Sequence, residues 1–152
     1  MPIRVFQHNV GPGFNIDNVV TGLVLAGIYQ NPQIFIDSLV VGLSTFQSTN
    51  WRERAARIAV EVRRLNPDVV TLQEMVTISN QGLQLVGLTF SDQTTDFLPI
   101  LQEEFERLNL RYDLVQTLPL TDAVIPLAQG IFVRYIDRDV MFVRHQASAS
   151  NV

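Results

Sequence analysis

The chain has 152 residues, of which 47% are hydrophobic and 17% are charged, a composition typical of one globular domain with a single core. The formal net charge of −4 argues against a broad, non-specific nucleic-acid surface but leaves room for a local anion-binding cleft. The chain contains neither lysine nor cysteine, which excludes lysine Schiff-base and P-loop chemistry, a thiol nucleophile, disulfides and cysteine-ligated zinc.

The N-terminal segment reads as a strand. Residues 3–10, IRVFQHNV, alternate apolar and polar side chains with period two, as a strand with one wet face does. The segment lacks the basic region and the apolar stretch of a signal peptide, which favours a cytoplasmic protein.

Residues 16–47 are apolar and predict two short buried helices. The run from Val19 to Tyr29 is about half the roughly 20 residues that a spanning helix needs, and a polar segment around Pro32 interrupts it. Pro32 is placed to open the second helix. We therefore expect no spanning segment, and a membrane-peripheral role for this stretch remains a third, weaker alternative.

The next segment, NWRERAARIAVEVRRL, predicts an amphipathic helix. Its apolar residues recur at spacings of four and three, and its arginines indicate a solvated face. Asn66-Pro67 ends the helix, and the apolar strand Val69–Leu72 follows. Together with the first strand this is a strand–helix–strand unit, which predicts parallel, neighbouring strands.

The rest of the chain predicts a helix and several strands. Residues 76–94 and 121–130 read as loops, and residues 96–109 as a helix capped by Asp96. Residues 131–144 read as a hairpin that turns at Asp137-Arg138. The prediction is an α/β fold with helices 51–65 and 96–109 on one face of a mixed sheet, whose strands lie near residues 3–9, 68–74, 111–117, 130–136 and 139–144.

Two polar residues stand at strand ends. Asn9 closes the first strand and Glu74 closes the second, so in a parallel pair they meet at the carboxyl edge of the sheet, where ligands collect. Mg²⁺ accepts one or two carboxylates and completes its shell with water and substrate phosphate. A glutamate just past a strand is also common as a plain solvated strand end, so the residues alone leave both readings open.

The motifs IRVFQHNV and RERAARIAVEVRRLNPDVVTLQEM together resemble the N-terminal part of the endonuclease/exonuclease/phosphatase superfamily, which has a deoxyribonuclease I-like fold. The resemblance implies that Glu74 ligates Mg²⁺ or Mn²⁺ and that Asn9 helps to position the metal or the scissile phosphate, with Gln73 structural. It implies a phosphoester substrate, whether nucleic acid, lipid head group or inositol phosphate.

The family's later motifs, an Asp-x-Asn pair and a terminal Asp-His pair among them, have no counterpart in this sequence. His8 and His145 are better explained as surface or packing residues than as a general base, and Asp137 and Asp139 as turn residues. We expect residues 1–152 to be a single, C-terminally truncated domain, the first half of a two-sheet α/β sandwich. Such a chain is expected to be inactive alone and to self-associate through an exposed sheet face. The alternative is a non-catalytic binding or assembly module.

Overall fold

The computed structural model describes residues 2–11 and 13–145. The chain divides into two compact units, Pro12–Asn50 on the one hand and Met1–Gly11 with Trp51–Val152 on the other. No helix among the described residues is long and apolar enough to cross a membrane.

The Pro12–Asn50 unit is a helical hairpin of α1 (Ile16–Ile28) and α2 (Pro32–Ser48). Asn15 and Asn31 cap the two helices through their side-chain oxygens, and Pro32 opens α2 as the sequence predicted. The helices approach closely at Gly22, where a side chain would collide with Ser38, and at Gly42, where a Cβ would lie 2.8 Å from the Phe14 ring. The two predicted helices are confirmed, but several of their apolar side chains are exposed rather than buried.

The larger unit contains a sheet and two long helices. In chain order its elements are β1 (Val5–Asn9), α3 (Trp51–Leu65), β2 (Val69–Gln73), β3 (Thr77–Gln81), a 3₁₀ turn (Leu83–Val86), β4 (Gln93–Asp96), α4 (Phe97–Arg107), β5 (Tyr112–Ala128) and β6 (Ile131–Arg144). The strand order is β1-β2-β6-β3-β4, and β5 pairs with the other edge of β6. Only β1 and β2 are parallel among the paired strands of the described chain.

The long strand β6 organises the sheet. Its C-terminal half pairs with β2 and its N-terminal half with β3, while β5 runs along its whole length. Three register shifts fall on the β5 side of the ladder, at Leu114/Gln116, Pro119/Thr121 and Pro126/Ala128. Since β6 itself is unbroken, its side chains alternate strictly between the two faces of the sheet.

One face of the sheet is covered by helices. Phe105 of α4 packs its ring against Phe142 of β6 with centroids 5.4 Å apart, and Trp51 of α3 packs against Phe97 of α4 at 5.0 Å. Val70 and Leu72 of β2 are fully buried on this helix-covered face. The α/β class, the mixed sheet and the two amphipathic helices are therefore as predicted.

The opposite face is covered at one end only. Side chains of β6 at Ile131, Val133 and Tyr135 are buried there, together with Ile78 of β3 and Ile125 of β5. Toward β1 and β2 the same face is accessible, with Val5 60% exposed and Leu118 49% exposed. We call this uncovered part, beside Gln7, Thr71 and Met141, the open face.

Three local predictions were wrong. Residues 77–81 and 93–96 form strands β3 and β4 rather than a loop. The two strands pair antiparallel, from Thr77 opposite Asp96 to Asn80 opposite Gln93, and most of their side chains are polar. Residues 121–128 belong to β5, whose bulges accommodate Pro119 and Pro126 at a sheet edge. Residues 131–144 form one continuous strand, so the predicted hairpin turn at Asp137-Arg138 is absent, and the turn at Gly130, with φ of +73°, instead connects β5 to β6.

Candidate active site

The ends of the two parallel strands bring Asn9 and Glu74 together. Asn9 is level with Gln73 in the β1–β2 register, and a further bond from Val10 N to Gln73 O, 3.0 Å long, extends the pairing past the strand ends. Asn9 Nδ2 donates a hydrogen bond to Glu74 Oε1 at 2.8 Å. The juxtaposition predicted from the strand ends is therefore present, on residues 65 positions apart in sequence.

A chain of hydrogen bonds fixes the orientation of the Asn9 amide. Gly11 N donates to Asn9 Oδ1 at 2.8 Å, which makes Oδ1 the acceptor and turns Nδ2 toward the carboxylate. Gly11 O in turn accepts a bond from Arg54 of α3 at 3.1 Å. The Arg54 guanidinium also lies 5.1 Å from the Trp51 ring centroid, and burial lowers its pKa. The helix thus holds the loop that orients Asn9.

Arg54 departs from the prediction for its helix. The sequence assigned the α3 arginines to a solvated face, and Arg52 and Arg64 fit that assignment through surface ion pairs with Glu103 at 2.9 Å and Glu61 at 2.6 Å. Arg54 instead turns inward to the site loop. The spacing of the α3 arginines does not distinguish Arg54 from the others. What distinguishes it is its contact with Gly11, which is distant in sequence.

Glu74 leaves its strand through an unusual backbone conformation. Its φ is +59°, a left-handed value that costs a non-glycine residue roughly 1–2 kcal/mol. The next residue, Met75, is fully buried and its N–H donates to Arg138 O at 2.9 Å, so the turn is fixed on both sides. The strained turn directs the carboxylate back toward β1, whereas a continuing strand would carry it along the sheet.

Two carboxylates that were predicted to be turn residues lie beside this pair. Asp137 and Asp139 stand in the middle of β6 and, by alternation, share the face of Thr71 and Met141. The pKa of Asp137 is raised by burial first, then by the negative charges of Glu74 and Asp139, while the Arg138 N–H opposes the rise. Asp137 Oδ1 and Asp139 Oδ1 are both shielded from solvent without a hydrogen-bond partner in the described structure.

Arg138, between these two aspartates, points to the helix-covered face. It forms a half-buried ion pair with Asp96, whose other role is to cap α4 by accepting from Leu98 N at 3.0 Å. The Asp-Arg-Asp triplet is therefore split by strand alternation, with the cation on one face and both carboxylates on the other. A polar triplet in the middle of a buried strand is the signal that could have identified this part of the site.

A shallow groove on the open face leads away from the carboxylates. Its volume is about 370 Å³, and its walls combine amide, hydroxyl, carboxylate and aliphatic side chains, including Gln7, Thr71, Gln73, Gln116, Leu118, Asp139 and Met141. Gln73, predicted to be structural, thus lines the groove on the side of β2 that faces Gln7. Asp139 is the one carboxylate among these lining residues.

The two histidines lie away from the site. His8 alternates with Asn9 on β1 and stacks on Phe6, with ring centroids 6.0 Å apart, on the side of α3. His145 lies near the start of β2, where its Nδ1 is 3.0 Å from Asp113 Oδ2. His8 thus faces α3 and His145 pairs with Asp113, so neither imidazole is directed at Glu74.

The Asn9–Glu74 pair offers few donor atoms. No group of three or more His, Cys, Asp or Glu side chains within residues 2–11 and 13–145 is close enough to hold a metal ion. Glu74 accepts only the Asn9 bond in that part of the chain, which leaves its second oxygen available. Because Asn9 Oδ1 accepts from Gly11 N and Nδ2 donates to Glu74, the pair presents one free carboxylate oxygen, and Mg²⁺ can be held by one or two protein carboxylates with water in the remaining positions.

Comparison of the chain with family models, with curated proteins and with solved structures gives no match. The family resemblance consequently depends on the two motifs quoted from the sequence, and the site must be judged by its geometry.

Proposed function

We propose that the Asn9–Glu74 edge is a Mg²⁺ or Mn²⁺ site of a phosphoester hydrolase with a deoxyribonuclease I-like fold. The observation that carries the proposal is the 2.8 Å hydrogen bond between an amide and a carboxylate at the carboxyl ends of two neighbouring parallel strands. The left-handed φ of Glu74 supports it, because that turn brings the carboxylate within hydrogen-bond distance of Asn9.

Different residues of the chain would bind the metal, orient the substrate and contact the rest of it. Glu74 would provide the charged ligand, Asn9 would orient a phosphoryl oxygen or a water, and the groove amides would contact the rest of the phosphoester. When bound, the metal would polarise the phosphoryl oxygen and offset its negative charge. Asp137 and Asp139 add negative charge beside Glu74, which would favour a cation at this edge.

The proposal is that residues 1–152 alone bind the metal and the phosphoester but do not hydrolyse the phosphoester. Hydrolysis also requires a group that activates water, and His8 stacks on Phe6 while His145 contacts Asp113 instead of Glu74. The substrate class stays a phosphoester: nucleic acid, lipid head group or inositol phosphate.

Calorimetric titration with MgCl₂ and MnCl₂ tests this function. Wild type is expected to bind one divalent ion, Glu74→Gln to lose at least tenfold in affinity, and Glu106→Gln, an exposed glutamate on α4, to bind as wild type does. Hydrolysis of bis(p-nitrophenyl) phosphate should stay at the buffer rate for all three proteins. Equal binding by wild type and Glu74→Gln would contradict the proposed metal site.

The second candidate is a non-catalytic binding or assembly module. The open face favours it, since exposed Val5 and Leu118 flank an amide-lined groove and offer a surface to a second protein molecule. Self-association through this face would leave the Glu74 site without a catalytic role. Metal-independent association together with no metal binding would favour this candidate over the first.

A further inference from the structure

Helix α1 carries an apolar stripe that the candidate site does not use. Val20, Leu23, Val24 and Ile28 recur at helical spacing and are 48%, 49%, 55% and 66% exposed. A different side of the same helix, with Val19, Gly22 and Ala26, is buried. The helix is thus apolar on two sides, and only one of them is buried.

Gly27 lies within this stripe, and no contact in the described part of the chain requires glycine at this position. Gly22 and Gly42 are required by close contacts with Ser38 and Phe14, but a Cβ at Gly27 meets no atom within 4 Å. Glycine within a helix costs about 1 kcal/mol relative to alanine. At Gly27 no contact in the described structure offsets this cost, whereas a closely approaching second helix would use the missing side chain.

The segment around the stripe carries few charges, and this limits the kinds of partner that could bind it. Residues 5–51 contain no Lys or Arg, so the segment has no cation with which to bind anionic lipid or an acidic protein. The only charged side chains of the helical hairpin are Asp17 and Asp37. An uncharged, aliphatic stripe is complementary to another copy of itself, and an antiparallel pair keeps the two Asp17 carboxylates at opposite ends.

We propose that α1 is a homodimer interface, in which the stripes of two chains pack antiparallel about Val24 and the missing side chain at Gly27 lets the second helix approach closely. The four side chains are each about half exposed and together form an apolar patch on the order of a few hundred Å² per copy. Two such patches would bury less than the roughly 1,200 Å² of a standard interface, which is in the range of weak, reversible interfaces. Association is therefore expected to be weak and independent of any metal at Glu74.

Position-specific cross-linking tests this interface, because the chain has no cysteine of its own. Val24→Cys, in the centre of the stripe, should give a covalent dimer with a short bismaleimide at about 50 µM protein. Val41→Cys, on α2 and 63% exposed, is the matched control and should give at least tenfold less. Equal yields from the two variants, or no dimer from Val24→Cys, would overturn the proposal.

Sedimentation equilibrium then separates specific packing from general stickiness. Val24→Glu and Gly27→Leu should each weaken association at least tenfold, while Val41→Glu leaves it unchanged. Gly27→Leu is decisive, since added apolar surface would strengthen non-specific contact but blocks close helix approach. Measurement in a Leu118→Glu background removes contact through the open face. Vesicle binding by wild type without dimerisation would refute the second copy as the occupant.

Discussion

Asn9 Nδ2 lies 2.8 Å from Glu74 Oε1, so two residues from separate strands share one hydrogen bond at the edge of the sheet. The bond requires the parallel β1–β2 register, the left-handed turn at Glu74 and the Gly11 bond that orients the amide. Each of these can be changed separately.

Replacing Asn9 by aspartate removes the donor and places a second carboxylate beside Glu74. We expect Asn9→Asp to melt at a lower temperature than wild type without divalent ions, because two carboxylates then face each other. Millimolar Mg²⁺ or Mn²⁺ should recover most of the loss. Thermal melts with and without metal measure both effects, and a loss that metal does not reduce would argue against a cation at this position.

Arg54 tests whether α3 holds the site loop. Arg54→Ala removes the hydrogen bond to Gly11 O and the contact with the Trp51 ring, and should destabilise the protein by about 1–2 kcal/mol. Arg63→Ala, an exposed change on the same helix, should cost less than about 0.5 kcal/mol. Urea unfolding compares the two variants. Similar values for both would show that Arg54 is only a surface residue.

Asp137 gives the site a pH dependence of defined sign. Its pKa is raised in the folded chain, so the folded state binds more protons than the unfolded state and stability falls as pH rises through the folded pKa. Asp137→Asn should therefore melt above wild type at pH 7, and the difference should shrink toward about pH 4, near the unfolded pKa. A difference that grows on acidification would contradict the raised pKa.

The open face should contribute to self-association of the intact chain. Leu118→Glu places a charge beside the groove and is expected to lower the apparent mass at high concentration. Leu85→Glu is the control, since Leu85 is 81% exposed and lies in the 3₁₀ turn. Light scattering after size-exclusion chromatography distinguishes the two. An unchanged apparent mass for Leu118→Glu would show that the open face does not contribute to self-association.

The parts of the fold that could be predicted are those in which periodicity and burial agree. Helix α3 and strand β2 have both, and their order along the chain placed Glu74 next to Asn9. Strand β3 could not be predicted, because polar residues at 77–81 pair with β4 and β6 far along the chain. Strand β5 contains two prolines that only the bulges explain.

Asp137 and Asp139 show the same limit within the site. Local sequence favours a turn for Asp-Arg-Asp, and the deciding contacts are distant: Arg138 pairs with Asp96, and the aspartates face Glu74. In this segment the distant contacts outweigh the local preference for a turn, which is common where charged residues belong to a functional site.

Anomalous diffraction from crystals soaked in MnCl₂ tests the central claim most directly. A cation at the Asn9–Glu74 edge predicts an anomalous peak about 2.0–2.6 Å from a Glu74 carboxylate oxygen. The peak should be missing from Glu74→Gln crystals and present in Glu106→Gln crystals. A wild-type map with no peak at Glu74, or with its strongest peak at a carboxylate elsewhere such as Asp113, would contradict the account.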